Sequence, residues 1–378
     1  MSLKKPKLIR LTTVALSQNL LLRGQLRFLN QKFEVIAVAS GKEELEQVGV
    51  REGVRTVDIK MHRDISLIAD LNSLIALYTL FRNEKPEIVH ANTPKCSLLS
   101  MFAATLAGTK NRIYTVTGLR FETEKGIFRR LLKFMEIITC AFATKVIPEG
   151  KGVRDTLIRE HITNKPLEII YNGNINGVDL NWYASSHEVR VLAERYIDNN
   201  VFTFCFIGRV VRDKGLEELI GAFSRLSKIY INTRLLLIGP FEKELSPLKE
   251  NIINEIDTNS KIRYMGYQDD IRPFLQASDV LVLPSYREGF PNVVLQAGAM
   301  GLPCIVTNIN GCNEIIQDKV NGLIVPVRNE DRLFEAMTRL LNNTEETYQM
   351  STNARRIIAE RYNQQNVWSC LEKMYLSL

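Results

Sequence analysis

The sequence lacks several features that would indicate other classes of protein. No uncharged run is long enough to span a bilayer, and the start of the chain has no long apolar segment, so we expect neither a transmembrane helix nor a signal peptide. The six cysteines form no Cys-x-x-Cys pair, and the four histidines show no metal-ligand spacing. We therefore expect buried free thiols, a cytoplasmic location and no metal site.

The length and charge of the chain indicate how many domains it has and which classes of partner it can bind. Its 378 residues exceed the usual size of one hydrophobic core and predict two domains. The net charge of +7 permits nucleic acid, an anionic membrane surface or a phosphorylated substrate as partner. No aromatic–basic alternation or nucleic-acid module appears, which disfavours nucleic acid.

Short apolar, β-branched runs alternate with helical patterns in both halves of the chain. The predicted strands are residues 7–14, 33–39, 54–59, 88–92, 112–117 and 145–147, then 202–207, 234–238, 262–265, 280–283, 304–307 and 322–325. Repeated strand–helix units predict an α/β fold with a parallel, doubly wound sheet in each half. Ligands of such sheets bind at the carboxyl ends of the strands, so the loop expected at residues 17–20 is a candidate site. Two Asn-Gly steps, at Asn172 and Asn176, predict tight turns and place the domain boundary after residue 176.

Residues 284–301 combine a turn cluster with the start of a helix. Pro291 suits a position just before or at the start of a helix, where a missing N–H costs nothing. The free amides of the first turn attract anions, above all phosphate. These amides belong to Asn292, Val293 and Val294. The Glu288 carboxylate lies beside the same opening and can bind hydroxyl groups, so the stretch indicates a sugar nucleotide as ligand.

This stretch resembles the donor-site signature of glycosyltransferase family 4, a family of retaining GT-B enzymes with the pattern Glu-Gly-Phe-(Pro/Gly)-x-x-x-x-Glu. Glu288, Gly289, Phe290 and Pro291 match it, whereas Gln296 stands at the position of the second Glu. The resemblance implies that Glu288 contacts the donor sugar. It also implies that Gln296 faces the ribose, to which an amide hydrogen-bonds without charge assistance.

Two further loops of the second half match the family. Gly208, Arg209 and Lys214 follow the strand at 202–207, and two cations there can bind a diphosphate and stabilise it as it leaves. The family carries the same Arg and Lys, which implies catalytic roles for both beside Glu288; the alternative is a solvated basic turn. Gly266 and Tyr267 match the family segment that approaches the nucleotide base.

Two segments of the first half, residues 89–95 and 113–123, resemble a subgroup that builds capsules, O-antigens and glycoprotein glycans in bacteria. Many members carry His where this chain has Thr117, which can hydrogen-bond but cannot carry a proton at neutral pH. The substrate residues predicted at these strand ends are Ser17, Asn92, Thr117, Gly118 and Arg120. His90 fits a satisfied strand residue as well as a site group, so we do not place it in the site.

Residues 120–159 are rich in Arg and Lys, and residues 128–142 also have a helical apolar pattern. A basic amphipathic helix can lie on an anionic membrane surface. It can equally be an ordinary helix that covers the sheet and keeps its cations in water. Composition favours the ordinary helix, whereas the family resemblance favours the membrane.

The resemblance implies a GT-B fold, in which two Rossmann-like domains, residues 1–176 and 177–361, face a central cleft. The helical end, residues 362–378, is then expected to pack back on the first domain. It further implies a retaining, metal-independent transfer from a UDP-hexose or UDP-N-acetylhexosamine, without a cofactor. The implied acceptor is a growing glycan or a polyprenyl-diphosphate-linked sugar at the inner face of the cytoplasmic membrane.

Two alternatives remain open from the residues. A sugar-nucleotide epimerase of similar fold would need acid and base groups, which we cannot place. A donor-binding homologue with impaired catalysis is suggested by Gln296 and Thr117.

Overall fold

The computed structural model describes residues 5–62, 66–242 and 246–378. Contacts divide the chain into two units, Met1–Asn176 with Gln364–Leu378, and Gly177–Asn363. The absence of a signal peptide was predicted partly from residues 1–4, which lie outside the described residues.

The first unit contains a six-stranded parallel sheet. Its strands are β1 (Lys7–Val14), β2 (Glu34–Ser40), β3 (Arg55–Asp58), β4 (Ile88–Ala91), β5 (Asn111–Val116) and β6 (Lys145–Pro148). Their order is β3-β2-β1-β4-β5-β6, and every pairing is parallel. The central strands β1 and β4 are buried on both faces, which is why they read as continuous apolar runs.

Helices cover both faces of this sheet. They are α1 (Ala15–Leu21), α2 (Gln25–Leu29), α3 (Lys42–Glu52), α4 (Leu67–Glu84), α5 (Pro94–Ala107), α6 (Gly126–Phe142) and α7 (Lys151–Arg159). Side chains alternate along β1, so that Ile9 and Leu11 pack with α4 to α7, and Leu8 packs with α1 to α3 on the other face.

The prediction of a loop at residues 17–20 is wrong, because helix α1 begins directly after β1. The reason is Gln18, which is buried against the sheet. Its side-chain amide donates to the backbone oxygens of Arg10 at 3.0 Å and Val38 at 3.3 Å, and thereby ties this turn of helix to two strands. Ser17 is consequently a helical residue.

The second unit repeats the architecture. Its strands are β7 (Phe202–Ile207), β8 (Thr233–Ile238), β9 (Ile262–Gly266), β10 (Val280–Leu283), β11 (Cys304–Thr307) and β12 (Gly322–Val325), in the order β12-β11-β10-β7-β8-β9. Its helices are α8 (His187–Ala193), α9 (Leu216–Ile229), α10 (Glu250–Thr258), α11 (Arg272–Gln276), α12 (Asn292–Ala299), α13 (Cys312–Ile315), α14 (Glu330–Asn342) and α15 (Thr344–Tyr362).

The last helix, α16 (Gln364–Leu376), belongs to the first unit. Leu371, Met374 and Tyr375 complete the apolar core on the face of α1 to α3. The Arg10 guanidinium donates to the Tyr375 hydroxyl at 2.9 Å, and His90 contacts the same hydroxyl through Nδ1. Burial lowers the pKa of His90, so this imidazole is a neutral structural residue.

The cysteines are free, as predicted. Five are buried and Cys370 is half-buried. Burial raises the pKa of the Cys96, Cys140 and Cys205 thiols to about 12, which makes them inert packing residues.

Each sheet has one position at which the strand order reverses direction. It lies between β1 and β4 in the first unit, and between β7 and β10 in the second. In doubly wound sheets, ligands bind in the crevice at the carboxyl ends of these two strands. The fold therefore directs attention to four loops, those after β1, β4, β7 and β10.

Candidate functional site

Two loops meet at the switch point of the second unit, one after β7 and one after β10. The Lys214 ammonium donates to Glu288 Oε1 at 2.5 Å, and both side chains are largely buried. The backbone amide of Tyr286 donates to the Asp213 oxygen at 2.9 Å and ties the loops together. The structure thus pairs two of the three residues predicted to be catalytic.

A glycine makes this close approach possible. Gly215 has a φ of 72°, in the left-handed region. A Cβ at this position would lie 2.0 Å from the backbone oxygen of Pro284, at the end of β10. Because only glycine lacks this atom, the spacing between Lys214 and Glu288 depends on Gly215.

The Lys214–Glu288 pair suits a ligand that carries both a diphosphate and a sugar. Its ammonium can donate to phosphate oxygens, and its carboxylate can accept from sugar hydroxyls. While they bind each other, each also satisfies the other's charge in a largely buried position. A bound sugar nucleotide would replace both halves of this interaction at once.

Arg209, the third predicted catalytic residue, has a different partner. Its guanidinium donates to Glu242 Oε2 at 2.8 Å, and its side chain is more exposed than that of Lys214. Gly208, just before it, ends β7 with its amide bonded to the Ile238 oxygen at 2.9 Å. The cation therefore lies at the β7 loop as predicted, but without contact to Glu288.

Helix α12 begins at Asn292 with Pro291 as its N-cap, which confirms the predicted helix start. The amide of Val294, however, donates to the Pro291 oxygen at 3.1 Å. The expectation that this amide is free for an anion is thus wrong, because the first turn closes on itself. The Val293 amide has no acceptor in the described part of the chain, so it keeps the ability to bind phosphate.

Some of the remaining signature residues pack in the core, and one is accessible to a ligand. Phe290 is buried and its ring lies 5.6 Å from that of Tyr362, so its side chain belongs to the core. Val294 is fully buried as well. Gln296 is only half-buried, and within residues 5–62, 66–242 and 246–378 its side-chain amide has no hydrogen-bond partner. It is therefore available to a ligand.

The loop after β11 contacts the segment that carries Glu288. The sequence assigned no role to this loop. The Thr307 hydroxyl donates to the Ser285 oxygen at 2.5 Å. Gly311 comes so close that a Cβ there would lie 2.5 Å from the Gly289 oxygen. The loop thus supports the segment that carries Glu288. Residues 307–314 match a family loop whose role the sequence left open, and the contacts of Thr307 and Gly311 now indicate this role.

The segment predicted to approach a nucleotide base lies at the end of β9. Gly266 has a φ of 65°, and Tyr267 is exposed. Asp270 accepts from the backbone amide of Arg272 at 3.0 Å and from its guanidinium, so it holds the start of α11. Among the described residues, no group of three or more His, Cys, Asp or Glu side chains is arranged to hold a metal ion.

A cavity of about 290 Å³ lies at the switch point of the first unit. Ser17 and Arg120, both predicted substrate residues, line it. Two others lie beside it in the strand ends, where the Thr117 hydroxyl donates to the Asn92 oxygen at 2.9 Å. Asn92 is fully buried, and its side-chain amide has no partner among the residues described. Gly118 follows with a φ of 125°.

Sequence reasoning missed three charged groups of this cavity, Asp70, Lys95 and Glu136. Lys95 binds Asp70 at 2.6 Å, which joins α5 to α4. Glu136, from α6, accepts from the buried Tyr114 hydroxyl at 2.8 Å. Burial raises the pKa of Glu136 to about 7. All three residues lie in helical patterns that are otherwise typical of packing, so no local signal distinguished them.

In the described ranges, no helix is long and apolar enough to cross a membrane.

Comparison with protein families covers both units. Residues 21–175 match the family described as Glycosyltransferase Family 4, and residues 192–357 match Glycosyl transferases group 1. The first match contains most of the residues that line the cavity of the first unit, and the second contains Lys214 and Glu288.

Individual proteins show the same relationship. The chain is 32% identical over 377 residues to the capsular polysaccharide biosynthesis glycosyltransferase CapM of Staphylococcus aureus, covering 99% of this chain and 97% of the relative. It is also 32% identical to the UDP-Gal:α-D-GlcNAc-diphosphoundecaprenol α-1,3-galactosyltransferase of Escherichia coli, over 80% of this chain and 78% of that one. The crystal structure of Anabaena Alr3699/HepE in complex with UDP and glucose has a TM-score of 0.83 at 18% identity, with 99% and 100% coverage. The fold is accordingly GT-B.

Proposed function

Because this chain belongs to glycosyltransferase family 4, we propose that it moves a sugar from a UDP-linked donor to a lipid-linked or growing glycan during synthesis of a bacterial surface polysaccharide. The observation that carries this proposal is the 32% identity with a capsular glycosyltransferase over nearly the whole length of both chains.

The donor side of the proposal assigns a role to each residue at the β7–β10 switch point. Lys214 and Arg209 bind the diphosphate, helped by the Val293 amide at the start of α12. Glu288 accepts from hydroxyls of a hexose or N-acetylhexosamine, and Gln296 faces the ribose. The E. coli relative named for UDP-Gal and the Anabaena protein solved with UDP and glucose support a UDP-linked donor.

The chemical step breaks the bond between the anomeric carbon and the diphosphate oxygen. The acceptor hydroxyl then forms a bond to the same carbon with retained configuration, while its proton leaves with the UDP product. Negative charge develops on the departing diphosphate, where preorganised cations stabilise the transition state most. Lys214 supplies this charge in our proposal, and we propose that no metal or other cofactor takes part.

The acceptor is proposed to be linked to a polyprenyl diphosphate, since the E. coli relative is named for a diphosphoundecaprenol acceptor. Helix α6 supports contact with the inner face of an anionic membrane. It buries Glu136 and Cys140 against the sheet, yet exposes Ile127 and Phe134. Arg130 is also exposed, without an acidic partner in the described residues.

The test is a mass-spectrometric screen of nucleotide sugars against undecaprenyl-diphosphate-linked mono- and disaccharides, with and without a metal chelator. We expect one UDP-sugar to give a product one sugar larger, with an α linkage if the donor is α, and no effect of the chelator. A donor that is epimerised when no acceptor is present would favour an epimerase instead. Tight UDP binding without turnover on any acceptor would favour a donor-binding protein.

A further inference from the structure

The loop after β8 lies beside the candidate site, although the sequence analysis singled out none of its residues. We call it the β8 loop, and its described residues are 239–242 and 246–249. Strand β7 pairs with β8 on one side and with β10 on the other, so the loop after β7 lies between the β8 loop and the loop that carries Glu288. A Cβ at Gly239 would lie 1.9 Å from the backbone oxygen of Gly208, so the ends of β7 and β8 approach very closely.

Hydrogen bonds join the β8 loop to the loop after β7. The Val210 amide donates to the Pro240 oxygen at 2.8 Å, and the Arg212 amide donates to the Ser246 oxygen at 3.0 Å. The Ser246 hydroxyl also donates to Asp213 Oδ1 at 3.1 Å. The β8 loop therefore holds the segment that lies between the two predicted catalytic cations.

Glu242 extends this contact to a side chain of the site. The Arg209 guanidinium donates to Glu242 Oε2 at 2.8 Å through one terminal nitrogen, Nη1. Its Nε and Nη2 groups have no partner among the residues that the structure describes. Because a guanidinium presents five N–H donors in a rigid fork, one carboxylate on Nη1 restricts the direction of the fork and leaves donors for a diphosphate.

The exposure of the Arg209–Glu242 pair indicates which property it affects most. The Arg209 side chain is 43% exposed and that of Glu242 is 27% exposed. An ion pair at such positions adds little to the free energy of unfolding. It can still matter for binding, because a long side chain that is already ordered loses less conformational entropy when a ligand immobilises it.

We infer that Glu242 is a positioning residue, which holds the Arg209 guanidinium so that its unused donors meet the diphosphate of the donor. This inference rests on the proposed function, because that proposal assigns the diphosphate to Arg209. The two carboxylates beside the β7 loop then differ in role. Glu288 exchanges Lys214 for the donor sugar, whereas Glu242 keeps its contact with Arg209 when the donor binds.

The opposite effect would be competition between Glu242 and the diphosphate for Arg209. The geometry disfavours competition, since the carboxylate uses only Nη1 of the guanidinium. The two effects also differ in sign. Removal of Glu242 would raise the affinity for UDP if the carboxylate competes, and it lowers that affinity if the carboxylate positions Arg209.

A double-mutant cycle between Glu242 and Arg209 tests the inference, with UDP titration and steady-state rates of the full chain as readouts. Glu242→Ala should weaken UDP binding and lower kcat/KM by about tenfold, the scale of losing a group that orients a functional residue. Arg209→Ala should lower kcat/KM on the order of a hundredfold. In the Arg209→Ala background, Glu242→Ala should change either quantity less than about twofold, because no cation remains to be positioned.

Two further variants of Glu242 strengthen the cycle. Glu242→Gln keeps an oxygen that can accept from the guanidinium, so it should retain UDP affinity within about threefold of the native value. Glu242→Thr is too short to reach Nη1 and replaces Glu242→Ala in the cycle if the Ala variant does not fold. A thermal melt of each variant shows whether the fold is intact.

The matched control is the Arg339–Glu346 pair, which joins α14 to α15. Its side chains are 43% and 19% exposed, close to the values of the Arg209–Glu242 pair. Glu346→Ala removes the same charge from the same unit, but from helices that supply no residue of the β7–β10 site. It should leave UDP affinity and kcat/KM within about twofold of the native values.

The inference is overturned if Glu242→Ala has the same effect with and without Arg209, since Glu242 would then act independently of the cation. Tighter UDP binding by Glu242→Ala would overturn it as well, in favour of competition. So would a loss in Glu242→Gln as large as that in Glu242→Ala, because a retained hydrogen-bond acceptor would then have no value.

UDP titration separates this inference from the proposed function. If sugar transfer occurs and the cycle shows no coupling, the positioning role is refuted and the glycosyltransferase proposal stands. If UDP affinity shows the coupling but no acceptor receives a sugar, Glu242 positions Arg209 for UDP and the proposed reaction fails.

Discussion

At the scale of single residues, Lys214 is the group whose loss should matter most to the reaction. Lys214→Ala removes the cation that we place at the departing diphosphate, so turnover should fall on the order of a hundredfold or more. Glu288 would also lose its partner at 2.5 Å. Steady-state rates and UDP titration measure both effects.

The control for this prediction lies two residues earlier. Arg212 is exposed, and its guanidinium is 3.6 Å from Glu217, away from the Lys214–Glu288 pair. Arg212→Ala should change turnover less than about threefold, as expected for an exposed ion pair. A near-normal rate in Lys214→Ala, with the fold intact, would remove Lys214 from the mechanism.

Gln296 gives a prediction in the opposite direction. Its half-buried side chain has no hydrogen-bond partner in the described residues, as expected for a residue that binds a ribose only when the donor is present. Gln296→Glu should raise UDP affinity several-fold, because hydrogen bonds to an ionised group are stronger by about 1 kcal/mol than neutral ones. Calorimetric titration and a thermal melt test this together. Unchanged affinity with a lower melting temperature would mean that Gln296 is a packing residue.

Glu136 should make the first unit less stable as the pH rises. Its pKa is raised from an ordinary value of 4.5 to about 7 by burial, so the folded state holds the proton that the unfolded chain releases. The contribution of Glu136 to the free energy of unfolding is fully present below pH 4.5. It is lost as the pH rises from 4.5 through 7, which lowers the free energy of unfolding by up to about 3 kcal/mol. Glu136→Gln cannot ionise and still accepts from Tyr114.

Thermal melts at pH 5 and pH 8 measure this difference. Glu136→Gln should melt above the native protein at pH 8, and the gap should narrow at pH 5. Glu124→Gln, at a more exposed position of the same region, should show no such change. A gap that is the same at both pH values would mean that Glu136 does not titrate in this range.

Residues with a motif were predictable one by one, whereas residues that act through the fold were not. Glu288 and Lys214 belong to patterns with fixed spacing, so the sequence predicted both. Their direct contact depends on the order of strands β7 and β10, which no local pattern encodes. Glu136 and Lys95 line a cavity only because α4, α5 and α6 pack side by side.

At the scale of elements, Gly215 controls how closely the β7 and β10 loops approach. Gly215→Ala would place a methyl group 2.0 Å from the Pro284 oxygen, and the backbone also has a left-handed φ. We expect a loss of about 1–3 kcal/mol in stability and at least a tenfold loss of UDP affinity, because the loops must separate.

A second glycine, Gly108, separates the effect of the steric contact with Pro284 from the effect of a left-handed φ. Gly108 ends α5 with a φ of 78°, but a Cβ there would meet nothing within 4 Å. Gly108→Ala should therefore cost stability through φ alone, about 1–2 kcal/mol, without changing UDP affinity. If Gly215→Ala binds UDP as tightly as Gly108→Ala does, the close approach of the two loops is not needed for the donor.

The strands were the most predictable elements, because parallel strands buried on both faces read as short apolar runs. The predicted limits of β1, β7, β10, β11 and β12 agree with the structure to the residue. Helix α1 was missed, since its polar residues Ser17, Gln18 and Asn19 look like a loop. Only the buried hydrogen bonds of Gln18 to two strands show why this segment is helical.

At the scale of the whole molecule, the chain completes its first core with its last helix. The sequence alone suggested this only through the family resemblance, because the apolar pattern of α16 does not say which core it joins. The structure supplies the physical reason, since buried Arg10 has no carboxylate partner within the described residues and donates to Tyr375 and Gln25 instead. Without α16, Arg10 would therefore lose the Tyr375 hydroxyl and keep only Gln25 as a hydrogen-bond acceptor for its buried charge.

Deleting residues 364–378 should unfold the first unit and spare the second. The deletion removes Leu371, Met374 and Tyr375 from one core, at about 2–5 kcal/mol for each large side chain, against a total stability of about 5–15 kcal/mol for a domain. The β7–β10 site lies wholly within Gly177–Asn363, so UDP affinity should stay within about threefold of the native value while sugar transfer is lost. Calorimetry should show one melting transition, which UDP shifts upward by mass action.

A shorter deletion, residues 377–378, leaves these core residues in place and should behave like the full chain. If the long deletion also abolishes UDP binding, the second unit depends on the first for its fold.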